Sequence, residues 1–183
     1  TPKSRHSESG LLDDFDGRLV PRIEERTGPP RRRLVFGESM GGLNAVMVAL
    51  FKPSFATRVA ALCPPIYKAS PFDSWSDWWA FLKRTGADPR IVFGVVGVAR
   101  TYLDSPEQWR AIDPLSVLAK TAGTALPELY VSNGLYDRYG NFEGVEAFVR
   151  SAREKGARVE WRPLYGGHCA TDIASLAGFL ARD

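Results

Sequence analysis

A sharp turn around one serine constrains the fold of this chain more than any other feature of its sequence. Residues 34–36 (Leu-Val-Phe) predict a strand, the pattern G-x-S-x-G follows over residues 37–41, and the apolar spacing of residues 43–50 predicts a helix. A chain that passes from strand to helix in so few residues holds the central serine, Ser39, in a strained backbone conformation. Glycine is expected at both flanking positions, because a Cβ there would collide with neighbouring elements.

This turn predicts a nucleophile elbow, in which Ser39 stands above the carboxyl edge of a sheet and attacks a carbonyl carbon. The N–H of Met40, at the start of the helix, would then point at the oxyanion that forms on that carbonyl. The pattern is short, and a tight glycine turn also occurs where only packing requires it. The strand before it and the helix after it favour the catalytic interpretation.

A serine nucleophile of this kind needs a histidine later in the chain as its general base. The chain contains two histidines, and His6 precedes Ser39, so the candidate is His168. It follows a strand-like stretch at residues 158–164 and two glycines, which places it on a loop beyond the last predicted strand. That position favours a general base over an ordinary surface or core histidine.

The acid that would orient this histidine is Asp137. It lies beyond a predicted strand at residues 126–131 and a predicted exit turn at residues 132–134, and its carboxylate would stabilise the imidazolium. A loop aspartate can instead pair with a neighbour such as Arg138 or cap a helix. Asp172 is the competing acid, although its position favours the last predicted helix or its N-cap.

In these residues the chain resembles the α/β-hydrolase esterases related to esterase D, a group that includes feruloyl esterases, siderophore esterases and mycolyltransferases. The G-x-S-M-G-G form of the elbow is similar to that of the family. Residues 19–25 are similar to the family's helix before the nucleophile strand, and residues 55–63 are similar to its next strand. Asp137 and the Gly-His pair ending at His168 match the family's acid and base. The resemblance covers most of the chain from about Leu11 onward.

The resemblance implies an α/β fold of the α/β-hydrolase type, a three-layer sandwich around a parallel sheet. It also implies a serine esterase that cleaves carboxylic esters of a small-molecule substrate through an acyl-enzyme, with no cofactor. Acyl transfer to an alcohol would use the same Ser-Asp-His triad. A binding module that keeps the elbow only for structure is the alternative from another class. The sequence does not choose a substrate.

Such hydrolases carry several strands before the elbow, and a loop among those strands supplies a second oxyanion donor. Neither the strands nor the donor has a counterpart in this sequence. Without a neighbour, Leu34, Val35 and Phe36 would form an exposed apolar edge that neither proline nor charge protects. We therefore expect residues 1–183 to be the C-terminal two-thirds of a catalytic domain. Its N-terminal strands would be missing or on a separate segment that pairs beside Leu34 and Phe36.

Composition excludes several other classes of protein. The chain is 44% hydrophobic and 25% charged over 183 residues, which is ordinary for a globular domain. Its net charge is +3, but basic residues are scattered apart from the triplet at residues 31–33, predicted to be a solvated loop, so a nucleic-acid partner is not expected. There is no apolar run of about 18 residues for a membrane span. Cysteine and histidine spacings do not suggest a metal site.

The two cysteines are predicted to be free thiols. Cys63 should end one strand, and Cys169 should follow a strand two places further along the sheet, about 9–10 Å away at strand spacing. A disulfide would need the two loops to converge. Free thiols would favour a reducing compartment without excluding secretion.

About sixty residues separate the second and third predicted strands, roughly twice what one crossover helix needs. The excess predicts a cap over the site at about residues 66–120, with a helix in which Trp75, Trp78 and Trp79 are spaced at i, i+3 and i+4. These tryptophans either attach the cap to the body or, with Glu38, bind the substrate. The glycines at positions 94 and 97 predict a flexible segment.

Overall fold

A computed structural model describes residues 10–182, so that His6 lies outside the described residues. A four-stranded parallel sheet forms the centre, with the strands side by side in chain order. The strands are β1 Leu34–Glu38, β2 Arg58–Leu62, β3 Glu128–Gly134 and β4 Val159–Leu164. The four predicted strands are thereby confirmed, and the parallel order brings all four carboxyl ends to one edge of the sheet.

Helices connect these strands and cover both faces of the sheet. In the part of the chain that the structure describes they are α1 Gly10–Asp14, α2 Val20–Thr27, α3 Met40–Phe51, α4 Trp75–Thr85, α5 Pro89–Tyr102, α6 Pro106–Ile112, α7 Pro114–Lys120, α8 Phe142–Glu154 and α9 Ile173–Ala181. A π-helical turn joins α1 to α2, and a 3₁₀ turn precedes β3. None of the helices within residues 10–182 is both long enough and apolar enough to cross a membrane.

Residues 59–62 of β2 and 129–131 of β3 are apolar, because both faces of these two central strands are buried. Val59, Ala61, Leu129 and Val131 pack against α3, α7 and α8 in the largest core cluster. The residues between them, Ala60, Leu62 and Tyr130, point to the opposite face and pack against Phe179 of α9. Helices therefore cover both sides of a parallel sheet, which is the three-layer α/β sandwich that the sequence predicts.

Strand β1 is one of the two edge strands of this sheet within the described residues. It pairs with β2 on one side, Phe36 is 64% exposed, and Leu34 is 36% exposed. A groove of about 540 Å³ runs beside it, and its walls include Phe15, Ile23 and Phe55. The sequence predicts such an exposed apolar edge for a strand without its neighbour, and the groove beside it is found only in the structure.

Two local predictions are wrong. The expected exit turn at residues 132–134 belongs to β3, because Asn133 and Gly134 pair with Pro163 and Leu164 of β4. Ser, Asn and Gly favour turns locally, but the parallel ladder satisfies their backbone here. Gly94 and Gly97 lie inside the continuous helix α5, whose Val92 and Val96 pack in one core cluster with Trp78 and Phe81 of α4.

The prediction of free thiols is also wrong, because Cys63 and Cys169 form a disulfide with their Cα atoms 5.0 Å apart. The loop after β4 turns back across the end of β3, where Gly134 leaves room for the Gly167 carbonyl oxygen, which would lie only 2.0 Å from a Cβ at residue 134. This close approach carries Cys169 over to Cys63. With the thiols paired, the argument for a reducing compartment no longer holds.

Candidate active site

The structure brings the three predicted catalytic side chains together. Oγ of Ser39 lies 2.9 Å from Nε2 of His168, and Nδ1 of His168 lies 2.8 Å from Oδ2 of Asp137. A carboxylate can only accept, so Nδ1 carries the ring proton and Nε2 is left to accept from the serine hydroxyl. Ser39 follows β1, Asp137 follows β3 and His168 follows β4, so residues far apart in sequence meet at the carboxyl edge of the sheet.

The backbone of Ser39 has the strained conformation expected of an elbow. Its φ is +53° with ψ −118°, which is unusual for a residue with a side chain. Its N–H donates to the Leu62 carbonyl at 2.9 Å, and its own carbonyl accepts from the Leu43 N–H at 3.0 Å. Ser39 is therefore fixed on one side to the end of β2 and on the other to the first turn of α3.

The steric requirement for glycine differs from the expectation at one motif position. A Cβ on Gly37 would lie 2.2 Å from the Gly41 carbonyl oxygen, so the first motif glycine is required. A Cβ on Gly41 would meet nothing within 4 Å in the described structure. The crowded position is instead Gly42, where a Cβ would lie 2.6 Å from the Leu62 carbonyl oxygen. The prediction that both motif glycines avoid collisions is wrong for Gly41.

Asp137 is buried, with 4% of its surface exposed, and its oxygens are used separately. Oδ2 faces His168, while Oδ1 accepts from the backbone N–H of Tyr139 at 3.0 Å. The alternative pairing with Arg138 does not occur, because that guanidinium bonds Asp88 at 2.6 Å. Asp172 is the N-cap of α9, where Oδ1 accepts from the Ser175 N–H.

Two tyrosines near Ser39, His168 and Asp137 are not predicted from the sequence. The ring of Tyr139 stacks on the imidazole of His168, with centroids 4.2 Å apart and planes at 29°. Tyr67 is buried, and its burial, followed by the charge of Asp137 and by Tyr139, raises the pKa of its phenol well above the ordinary range. In the sequence, the only indication of a role for Tyr139 was its position two residues beyond Asp137. Tyr67 carried none.

Met40 and Glu38 flank Ser39. Met40 is the first residue of α3, and the N–H groups at a helix start have no acceptor within the helix, so its N–H is available to an oxyanion beside Ser39. Met40 is 61% exposed, and Glu38 is exposed at the end of β1. The roles of both residues stay predictions.

The three tryptophans of α4 have different surroundings. Trp78 is buried in a core cluster with Phe81, and their ring centroids lie 5.4 Å apart, while Trp75 and Trp79 are exposed. A cavity of about 40 Å³ lies beside Trp75 and Trp78, much smaller than the roughly 300–1,000 Å³ of a ligand pocket. Packing accounts for Trp78, and substrate binding by the three tryptophans stays a prediction.

Comparison with known proteins places these features in a family. The family model described as "Putative esterase" matches residues 2–116, which is more than half of the chain. No curated protein matches it significantly.

Several solved structures are similar to this chain. An acylaminoacyl peptidase of Pyrococcus horikoshii has a TM-score of 0.59 at 19% identity, over 90% of this chain and 25% of that one. A thermostable esterase from Pseudomonas putida ECU1011 has a TM-score of 0.61 at 18% identity, over 92% and 52%. The Francisella virulence factor BioJ has a TM-score of 0.63 at 14% identity, over 95% and 58%.

At these identities the structural likeness concerns the fold alone. The chain spans between 25% and 58% of the length of these three structures. The neighbours have the α/β-hydrolase fold, and the strand–elbow–helix unit that carries Ser39 lies inside the family match. The chain therefore belongs to the Esterase family and has the α/β-hydrolase fold.

Proposed function

We propose that this protein hydrolyses carboxylic esters, with Ser39 as nucleophile, His168 as general base and acid, and Asp137 as the orienting carboxylate. The observation that carries the proposal is the unbroken line of hydrogen bonds from Ser39 Oγ through His168 to Asp137, at 2.9 and 2.8 Å. Such a line is the geometry from which an activated serine attacks an acyl carbon. Membership of the Esterase family supports the ester as the acyl donor.

The reaction proceeds in two halves. His168 accepts the hydroxyl proton as Ser39 attacks the ester carbonyl, and the same proton then passes to the departing alkoxide to leave an acyl-enzyme. Water, deprotonated by His168, attacks that intermediate and releases the acid. Asp137 holds the Nδ1 proton throughout and stabilises the imidazolium.

The oxyanion of each tetrahedral intermediate would be bound by the Met40 N–H. One such donor contributes on the order of 3 kcal/mol to the lowering of the barrier. Ester hydrolases of this fold use two donors, so we propose that the second comes from a segment next to the open edge of β1. The exposed Phe36 and the apolar groove beside β1 support a strand docked there, contributed by the same hydrolase.

Hydrogen exchange would test that strand. In the whole protein we expect slow amide exchange throughout β1, because each N–H would be bonded on one side or the other. Fast exchange at alternate residues of β1 would contradict the docked strand, since the N–H groups that point away from β2 would then be open to solvent.

Covalent labelling tests the catalytic proposal. A fluorophosphonate phosphorylates an activated serine, so intact mass and peptide mapping should find a single adduct on Ser39. The adduct should be absent in Ser39→Ala and retained in Ser54→Ala, which removes an exposed hydroxyl from the loop after α3. A folded protein without an adduct would support the non-catalytic binding module instead. If labelling succeeds but added glycerol captures the acyl group in place of water, the protein is an acyltransferase.

A further inference from the structure

A disulfide lies directly beside the candidate triad. Cys169 follows His168 in the chain and is bonded to Cys63. Cys63 in turn follows Leu62, whose carbonyl accepts the N–H of Ser39. One covalent bond thus links Cys169, which follows His168, to Cys63, which follows the residue that binds the Ser39 backbone.

The Cys63 side of this bond is firmly held. Cys63 is fully buried, and its N–H donates to the Ser132 carbonyl at 2.8 Å. Its carbonyl accepts from Nδ2 of Asn141, a buried side chain that also donates to the Pro64 carbonyl at 3.2 Å. Cys63 is therefore fixed to the end of β3 and to the start of α8.

The Cys169 side depends much more on the disulfide. Around Cys169 the hydrogen bonds of the backbone are local: the Ala170 N–H donates to the Gly167 carbonyl at 3.2 Å, and the Thr171 hydroxyl donates to the Cys169 carbonyl. Cys169 also has a φ of +58°, a conformation that costs a residue with a Cβ free energy unless the surroundings impose it. The bond to Cys63 is the covalent long-range constraint at this position, beside the packing of Cys169 on the cluster around Phe179.

We propose that the Cys63–Cys169 disulfide is a redox-cleavable clamp that holds His168 in line with Ser39. The proposal rests on the function proposed above for these two residues. With the clamp closed, the imidazole stays 2.9 Å from the serine oxygen. With the clamp open, the residue that follows His168 is free to leave its left-handed conformation, and the imidazole loses its alignment.

A dithiol opens the clamp by two exchanges. Its first thiolate attacks the sulfur of Cys169, the partly exposed partner, and forms a mixed disulfide while the Cys63 thiolate leaves. Its second thiolate then attacks the reagent's own sulfur in that mixed disulfide and releases the Cys169 thiolate. The protein gains two electrons and two protons, and the dithiol is oxidised to a cyclic disulfide.

Kinetics gives the first readout. After reduction by dithiothreitol we expect kcat for a p-nitrophenyl ester to fall by about 10- to 100-fold with a much smaller change in KM, because a misplaced general base impairs the chemical step. The double variant Cys63→Ala with Cys169→Ala should be as slow as the reduced protein and should not respond to the dithiol. EDTA is included, because the ligand atoms of Cys63, Cys169 and His168 lie within 4.8 Å of one another and the released thiolates could capture zinc.

Proton NMR gives a readout that does not depend on turnover. The chain has two histidines, so the downfield Nδ1 proton of His168, hydrogen-bonded to Asp137, is readily assigned by comparison with a His6→Gln variant. We expect this signal in the oxidised protein and its loss after reduction, while far-UV circular dichroism stays unchanged. If reduction unfolds the chain, the bond stabilises the whole fold and the clamp is refuted.

The outcomes separate the two proposals. Fluorophosphonate labelling of Ser39 together with an unchanged rate and an unchanged His168 signal after reduction would overturn the clamp and leave the esterase proposal intact. Absence of labelling in the oxidised protein would refute the esterase proposal, and the His168 signal would still decide the clamp. Thiol counting that finds two free cysteines before reduction would overturn the clamp outright.

Discussion

The phenol ring of Tyr139 lies stacked on the imidazole of His168, with 4.2 Å between ring centroids. This contact limits rotation of the imidazole, so the ring keeps one nitrogen toward Ser39 and the other toward Asp137. Tyr139→Leu should lower kcat/KM for an ester by about three- to tenfold, since an aromatic pair contributes roughly 0.5–1.5 kcal/mol. Steady-state kinetics is the measurement.

The matched control for that substitution is Tyr139→Phe. It keeps the ring and removes only the hydroxyl, so its kcat/KM should stay within about twofold of the parent if stacking is what matters. Equal losses in the two variants would show that the hydroxyl, not the stacked ring, supports His168.

Neighbouring glycines of the elbow should respond in opposite ways to the same substitution. Gly42→Ala forces a Cβ to within 2.6 Å of the Leu62 backbone, which must shift β2, and we expect a loss of about 1–3 kcal/mol in the free energy of unfolding. Gly41→Ala meets no neighbour in the described structure, and alanine favours the helix. Thermal or denaturant unfolding of the two variants would check this. A large loss of unfolding free energy in Gly41→Ala would indicate that another segment packs against Gly41.

Asn141 holds two loops together from a fully buried position. Asn141→Ala leaves the carbonyls of Cys63 and Pro64 without this donor, and an unsatisfied buried acceptor costs about 1–3 kcal/mol. We expect a melting temperature lower by about 3–10 °C for a domain of this size. Asn44→Ala, on the exposed face of α3, is the control and should change the melting temperature little. Equal effects at the two positions would refute the assigned role.

Stability should fall in acid partly because of Glu128. A hydrogen bond from Arg58 at 2.9 Å is the main cause that lowers the pKa of the Glu128 carboxyl, with the charge of Arg158 acting in the same direction and burial opposing it. A pKa that is lower in the folded state than the ordinary value of about 4.3 gives a stabilisation that is complete above that value. It is lost as the pH falls through the folded-state pKa.

Urea unfolding at pH 7, 5 and 3 would measure this contribution. We expect the parent to lose more free energy of unfolding between pH 5 and pH 3 than Glu128→Gln does, because the variant has no carboxyl to protonate at this position. Glu146→Gln, which removes an exposed carboxylate from α8, is the control and should keep the parent's pH dependence. An identical pH profile in the Glu128 variant would contradict the assignment.

Local patterns were sufficient for much of the fold. The strand, the turn and the helix around Ser39 depend on apolar spacing and glycine placement within about fifteen residues, a range over which periodicity is informative. The same reasoning predicted α4 and placed Asp172 either in the last helix or at its N-cap, which is where the structure has it. It failed where a local preference met a stronger tertiary one, as at Asn133, whose turn preference gave way to pairing with β4.

The sequence by itself therefore determined the identity of the candidate nucleophile, base and acid, because a parallel sheet brings the residues that follow its strands to one edge. Only the tertiary structure decided which further groups meet them there. The stack of Tyr139 on His168 and the bond between Cys63 and Cys169 depend on how the loop after β4 turns back over β3. That path follows from the close approach of Gly134 and Gly167, a contact between distant residues that strand spacing alone cannot express.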